Sequence, residues 1–271
     1  KSGNTWMRYL ISNYFFNKSN NFDANIIENI KKFNLDDKIV NSVSKKENFI
    51  DNPFNVSKYW IESQKRIKIL NGNVAFLKTH NALINISNNE FTNAQLSLAI
   101  IYIVRDPRDV AVSYSKYRNL SYDKIIDHMI KKDKPIPFVR ELKDPSDIEI
   151  TGSWSFHLNS WRNGIPSIPR IIVKYEDLVK DTKNVFLEIM TLLSKILKFK
   201  VNIDKIEKSI ELSNFENLQK HENKISFFEN HGSDKFFRKG VNNNWLNELN
   251  KKQQEKIEKN FNQEMKLMGY L

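Results

Sequence analysis

The chain has 271 residues, 40% of them hydrophobic and 28% charged, with no cysteine and a formal net charge of +11. That is the composition of a globular chain long enough to bury one sizeable core; it excludes disulfides, thiol catalysis and cysteine-ligated zinc. No apolar run approaches the roughly 20 residues of a membrane span, and the basic excess points to an anionic partner or to a solvated, lysine-rich surface.

The chain opens on Lys1-Ser2-Gly3-Asn4-Thr5-Trp6 and runs straight into Met7, Leu10, Ile11, Tyr14 and Phe15. Those apolar positions recur at i, i+3, i+4, i+7 and i+8, one face of an amphipathic helix. A small-residue loop leading into a helix aims free N–H groups and the positive end of the helix dipole at one spot, which suits phosphate. The Walker A order is absent, because Lys1 precedes Gly3 instead of following a glycine. Such a loop ordinarily follows a buried strand, so a missing first strand is expected upstream.

Residues 18–72 are polar and weakly patterned and read as short helices and loops. Val74-Ala75-Phe76-Leu77 then reads as a strand buried on both faces, ending in Lys78-Thr79-His80. In parallel sheets the C-terminal strand ends face the ligand crevice, so these three residues stand where chemistry is expected. A second strand, Leu98 to Val104, stops at Arg105-Asp106-Pro107-Arg108-Asp109. Here Asp106 is a helix cap, Pro107 suits the first helical position, and Asp109 completes a box-like pattern. The helix carries Val110, Tyr114 and Tyr117 inward, with Ser113 beside that stripe. Arg105 and Ser113 are spaced to converge on one anion; taken alone they read as a surface arginine and a helical serine.

Residues 119–150, with Pro135 and Pro137 as breakers, read as a lid or acceptor-side loop. Gly152-Ser153-Trp154 starts a helix, and Arg170 to Tyr175 is a third buried strand closing on Glu176-Asp177. Helical periodicity continues to about residue 212. Arg238-Lys239-Gly240 forms a compact anion site in a loop, Gly240 allowing close backbone approach. A last helix from about Lys251 to Met268 is Lys-rich and reads as a solvated face. Strands alternating with helices predict an α/β fold, a parallel sheet covered on both faces, in a single domain over 1–271.

Five stretches in order resemble the soluble, P-loop-like sulfotransferases that use 3′-phosphoadenosine 5′-phosphosulfate (PAPS). They are Lys1 to Trp6 (family PKSGTTW), Lys78-Thr79-His80 (KTH), Tyr102 through Arg105, Pro107 and Asp109 to Ser113 (YxxRxPxDxxVS), Tyr175-Glu176-Asp177 (YED), and Arg238 to Trp245 (RKGxxxxW). The resemblance implies roles. Lys1, Ser2 and the N–H groups of Gly3, Asn4 and Thr5 would hold the 5′-phosphosulfate. Arg105, Ser113 and Arg238, with the backbone near Lys239 and Gly240, would hold the 3′-phosphate. Trp6 and Phe215 resemble the adenine sandwich, with Ser213 and Tyr175 at the base edge. His80 matches the catalytic base, with Lys1 and Lys78 stabilising charge at the transferring group.

The implied reaction is in-line sulfuryl transfer to an acceptor hydroxyl or amine, in which positioning and electrostatics carry most of the rate. No metal is implied, and the five histidines show no HExxH spacing. Two alternatives differ in class: a P-loop small-molecule kinase, which needs Walker A order, and a non-catalytic basic domain binding nucleotide or nucleic acid, which needs a basic stripe with interleaved aromatics. The basic residues lie instead at loop ends between buried strands, so no nucleic-acid partner is expected. Asn4 stands where the family often has threonine, and Asn243-Asn244 replace a common Gly-Asp before Trp245. The family's C-terminal dimerisation element is not recognisable, so that dimer is not expected. A cytoplasmic location is expected, and the acceptor is left open among small molecules, lipids and glycans.

Overall fold

The computed structural model describes residues 2–43, 46–49, 51–67, 74–131, 137–138, 148–224 and 242–271. In chain order its elements begin with α1 (Asn4–Phe16), β1 (Lys31–Lys32), α2 (Asp37–Val43) and α3 (Trp60–Lys65). Then come β2 (Leu77–Lys78), β3 (Asn85–Ile86), β4 (Asn89–Glu90), β5 (Ile100–Val104), α4 (Pro107–Arg118) and α5 (Tyr122–Met129). After β6 (Pro137–Phe138) and β7 (Glu149–Ile150) follow α6 (Trp154–Asn163), β8 (Arg170–Lys174), α7 (Tyr175–Lys180) and α8 (Thr182–Leu197). The chain finishes with α9 (Ile203–Leu212), α10 (Phe215–Lys224), α11 (Trp245–Glu248), α12 (Lys251–Asn260) and α13 (Asn262–Leu267). They group into two compact units, one of Lys1–Asn29, Ile101–Ile130 and Ile171–Leu271, the other of Ile30–Ile100 and Lys131–Arg170.

In the first unit β5 and β8 are hydrogen-bonded neighbours despite their separation in sequence. α1 packs on α9 and on the 3-10 turn Ala24–Asn29, burying Tyr9, Ile26, Ile27 and Leu218 with Trp6, Phe16, Phe22 and Phe215 around them. α8 turns Phe186, Ile189, Met190 and Leu193 inward, the period that its sequence sets out. Complete burial of a side chain such as Phe186 contributes about 2 kcal/mol.

α4 starts as its residues dictate: the Asp106 carboxylate accepts the Arg108 N–H at 2.8 Å, Pro107 follows, and the helix ends at Asn119 in the left-handed region. The box-like role of Asp109 is not formed. The Asp106 N–H donates instead to Glu176 at 3.0 Å, and Asp109 turns to other partners. Tyr114 and Tyr117 are only half-buried, while Val110, Ala111, Val112 and Ser115 are buried.

Two expectations about outlying segments change. Within the supposed lid, residues 122–129 form α5, capped by Ser121 and packed on α4 and α12, with Ile125, Ile126 and Met129 buried, while residues 132–136 and 139–147 lie outside the described residues. The Lys-rich last helix is two helices, α12 and α13, and Ile257, Phe261 and Met265 at four-residue spacing are buried. Its lysines cover only the outward face.

In the second unit β1 and β2 pair in parallel, Lys31 opposite Leu77 and Lys32 opposite Lys78, and Phe33 N–H donates to the Lys78 carbonyl at 2.7 Å. The strand is shorter than expected and not buried on both faces: Ala75 and Leu77 are exposed, and alternate residues Val74 and Phe76 half-buried. Its outward face has period 2, which a continuous apolar run conceals. Behind it Phe33, Trp60 and Trp161 each meet Phe91 edge to face, with ring centroids 5.2–6.1 Å apart. Ser153 caps α6 by accepting the Phe156 N–H at 3.1 Å, the predicted helix start.

Candidate active site

The site residues fall in both units, and each group is built locally. In the first unit Gly3 adopts φ 93°, and a Cβ there would lie 2.5 Å from Tyr175 Cδ2, so only glycine fits. No side chain caps α1, and the buried Asn4 Oδ1 has no hydrogen-bond partner among the described residues. Thr5 is buried, while Ser2 is half-buried.

Tyr175, at the start of α7, is buried and lies against both Gly3 and Arg105. The Arg105 guanidinium carbon stands 4.3 Å from the Tyr175 ring centroid. Desolvation, more than the neighbouring charges, raises the Tyr175 phenol pKa. Arg105, also buried, faces Asp109 Oδ2 at 3.6 Å. Asp109 in turn accepts the N–H groups of Asn243 at 2.9 Å and Trp245 at 3.2 Å. Ser113, half-buried, lies on α4 eight residues beyond Arg105.

Arg108, absent from the sequence-predicted set, ties this corner together. It pairs with Asp106 through Nε at 3.0 Å and Nη2 at 2.7 Å, reaches Glu258 at 2.6 Å and donates to the Tyr270 carbonyl at 2.9 Å. Its guanidinium stacks 3.8 Å above the Trp245 ring. Tyr270 closes the circuit, its hydroxyl donating to Glu176 at 3.0 Å. Burial raises the Glu176 pKa above the usual carboxylate value, although the Asp106 N–H and Tyr270 hydroxyl pull it back. For Arg108 desolvation lowers the pKa, but the bonds to Asp106 and Glu258 outweigh it and the net shift is upward.

Trp6 donates from Nε1 to the Ser213 carbonyl at 2.9 Å, and the buried Ser213 hydroxyl accepts from Asn13 at 3.0 Å. The Trp6 ring meets Phe215 at 6.5 Å and Tyr175 at 6.3 Å, both edge to face. Trp6 and Phe215 are therefore neighbours, but not two parallel plates. Lys1, Arg238, Lys239 and Gly240 lie outside the described residues. An uncapped helix start, a buried arginine and aromatic edges suit a phosphorylated adenosine.

In the second unit the turn after β2 is fastened almost entirely through its backbone. The His80 N–H donates to Glu149 at 3.2 Å, and the His80 carbonyl contacts His157 Nε2 at 3.1 Å. Asn81 accepts the Ile150 N–H on its side chain at 2.7 Å and the Trp161 indole on its carbonyl at 3.0 Å. Thr79 Oγ1 accepts the Asn81 N–H at 3.0 Å. The His80 residue is exposed at the surface. Desolvation, then Lys78, Lys32 and His157, lower its pKa well below the usual histidine value. His157, half-buried, is likewise lowered by desolvation to about 4. At neutral pH both rings are uncharged, the form of His80 that can take up a proton. Among the described residues no group of three or more His, Asp or Glu is placed to hold a metal.

Sequence reasoning found the strand-end residues and missed Arg108, Glu149, His157, Glu258 and Tyr270. Only Arg108 carries a signal in the sequence, its place in the Arg105–Asp109 run.

A model of the family described as "Sulfotransferase domain" matches residues 1–269. The chain is 26% identical over 175 residues to an amine sulfotransferase of Oryctolagus cuniculus, covering 62% of this chain and 54% of that protein. It is 30% identical over 179 residues to a 3-beta-hydroxysteroid sulfotransferase of Cavia porcellus, covering 63% and 56%. The chain thus spans little more than half the length of these two relatives. Among solved structures it resembles mouse sulfotransferase SULT7A1 complexed with PAP (3′-phosphoadenosine 5′-phosphate), with a TM-score of 0.58, 23% identity, and 97% of this chain and 81% of that one covered. It also resembles retinol dehydratase in complex with androsterone and inactive cofactor PAP, with a TM-score of 0.63, 17% identity, and coverage of 98% and 78%. At these identities the structural likeness establishes the α/β fold.

Proposed function

The chain belongs to the sulfotransferase domain family, and from that premise we propose that it transfers the sulfuryl group of PAPS to an acceptor hydroxyl or amine. The observation that carries the reading is Tyr175. One ring touches both the Gly3 turn that opens α1 and the buried Arg105, which brings two anion-binding candidates within the span of one nucleotide. In this reading the Gly3–Thr5 N–H groups and Lys1 hold the 5′ end, while Arg105, Ser113 and Arg238 hold the 3′-phosphate. Trp6, Phe215, Ser213 and Tyr175 surround the base, and Lys239 and Gly240 complete the loop.

PAPS supplies an activated sulfuryl group: the acceptor O–S or N–S bond forms as the S–O bond to the 5′-phosphate breaks. His80 takes the acceptor proton, a contribution of about 10²–10⁴-fold. Lys78 stabilises the transferring group and Lys1 the leaving phosphate. Acceptors are small molecules in this reading. The relatives named for amines and 3-beta-hydroxysteroids put apolar alcohols and amines first in a screen. A single catalytic domain in the cytoplasm belongs to the same proposal.

The test is a product assay. The protein is incubated with PAPS and a panel of phenols, sterols and primary amines, and PAP and sulfated product are read by mass spectrometry. The account expects equimolar PAP and product with at least one acceptor class, and none from His80→Ala. Equal turnover by His80→Ala, or no PAP with any class despite tight nucleotide binding, refutes it.

A further inference from the structure

Because β1 and β2 run parallel with Lys32 opposite Lys78, the two lysine side chains leave the same face of the strand pair. Both are half-buried. From β7, Glu149 meets this face, its carboxylate 3.5 Å from Lys32 Nζ and accepting the His80 N–H at 3.2 Å. Glu149 is 5% exposed. A carboxylate so deeply placed is tolerated only with compensating partners, and here one is the lysine of β1 and another the peptide that carries His80.

We propose that Glu149 and Lys32 are positioning residues for the His80 base: Glu149 anchors the His80 peptide, and Lys32 holds Glu149 on the face of the strand pair that Lys78 shares. The proposal rests on the reading of His80 as the base. The charged and titratable groups that act on the ring are Lys78 from β2, Lys32 from β1 and His157 from α6, while Glu149 from β7 meets the His80 peptide. The two lysines oppose a proton on His80, and Glu149 limits how far they do so. A neutral imidazole matters to turnover and leaves nucleotide affinity unaffected, so the pair separates the two readouts.

The experiment uses protein labelled with ¹⁵N in all residues, with His80→Gln to assign the ring. The His80 imidazole is titrated by NMR and its amide exchange followed in the wild type, Lys32→Gln, Glu149→Gln and Glu149→Leu. Lys32→Gln is expected to raise the His80 pKa, and Glu149→Gln to lower it. Glu149→Leu is expected to speed exchange of the His80 amide, and Glu149→Gln, which keeps an acceptor oxygen, to restore protection. In turnover, Glu149→Leu should lower kcat roughly 10-fold to 100-fold with the KM for PAPS unchanged, rescued largely by Glu149→Gln. A His80 pKa unmoved by Lys32→Gln, or His80 amide exchange identical in Glu149→Leu and wild type, overturns the proposal. Titration and exchange are read without nucleotide. A protein that bound no PAP would therefore fail the functional reading, while these two results would still decide the positioning role.

Discussion

The corner around Arg105 and the turn around His80 are held by opposite means. At the first, buried charges answer one another: Arg108 with Asp106 and Glu258, Arg105 with Asp109, and the last residues of the chain threaded in through Tyr270. At the second, most fastenings are neutral bonds to the backbone, and the imidazole itself is left open. The difference suits the role proposed for each group. A cation meant to grip an anion keeps its charge throughout, and a fixed counter-charge network can orient it. A base has to change protonation state during turnover, so a full counter-ion on its ring would bias it toward one form.

The comparison breaks most readily at His80. Replacing it with alanine is expected to lower kcat by about 10²–10⁴-fold while PAP affinity, measured by calorimetry, stays at the wild-type value. Parallel losses in kcat and affinity would mean that the two corners are not separable in function.

Next in size is Arg108→Ala, which leaves Asp106 buried without its cation. Breaking such a pair costs about 3–5 kcal/mol, and urea unfolding should show a midpoint lowered accordingly. A loss below about 1 kcal/mol would mean that the charge network is ornamental to the fold. Gly3→Ala comes third: the left-handed φ and the Tyr175 ring both resist a Cβ, for a stability loss of about 1–2 kcal/mol with weakened PAP binding.

The smallest effect concerns Glu176, whose pKa is raised by burial. A carboxyl with a raised folded-state pKa favours the fold while it is protonated, and that contribution is lost as pH rises through the folded value. Glu176→Gln should therefore flatten the decline in stability above the usual carboxylate range while leaving acid stability unchanged, as read from thermal midpoints across pH. His80 carries the opposite sign. Its folded pKa lies below the usual histidine value, so its contribution is present above that usual value and is lost as pH falls through the folded one. Turnover should accordingly persist into mildly acidic pH before His80 protonates.

What the sequence made legible were the strand ends, because residues there are placed by local rules. Lys78-Thr79-His80 and Arg105 close apolar runs, and Asp106-Pro107 starts a helix by capping chemistry that depends on neighbours alone. Long-range partners were illegible for the converse reason. Lys31–Lys32 is a strand only because β2 lies beside it, and two lysines carry no strand pattern. Glu149 reads as a surface acid until Lys32 and the His80 peptide are brought to it. The apolar stripe Ile257, Phe261 and Met265 was masked by the many lysines around it, although its four-residue spacing is visible once α5 is seen packed against α12. Asp109 shows the same limit: its place in a helix start suggested a cap, while its partners are residues 134 and 136 positions away.

The central claim is that one adenosine bearing phosphates at both ends is gripped by the Gly3 turn and by Arg105. The direct measurement is a calorimetric cycle: PAP and adenosine 5′-phosphate, each titrated into the wild type and Arg105→Ala. PAP should bind the wild type roughly 10-fold to 100-fold more tightly than the nucleotide without a 3′-phosphate, and that preference should largely disappear in Arg105→Ala. Equal affinity of the wild type for the two nucleotides, or a preference that survives intact in the variant, would contradict the account.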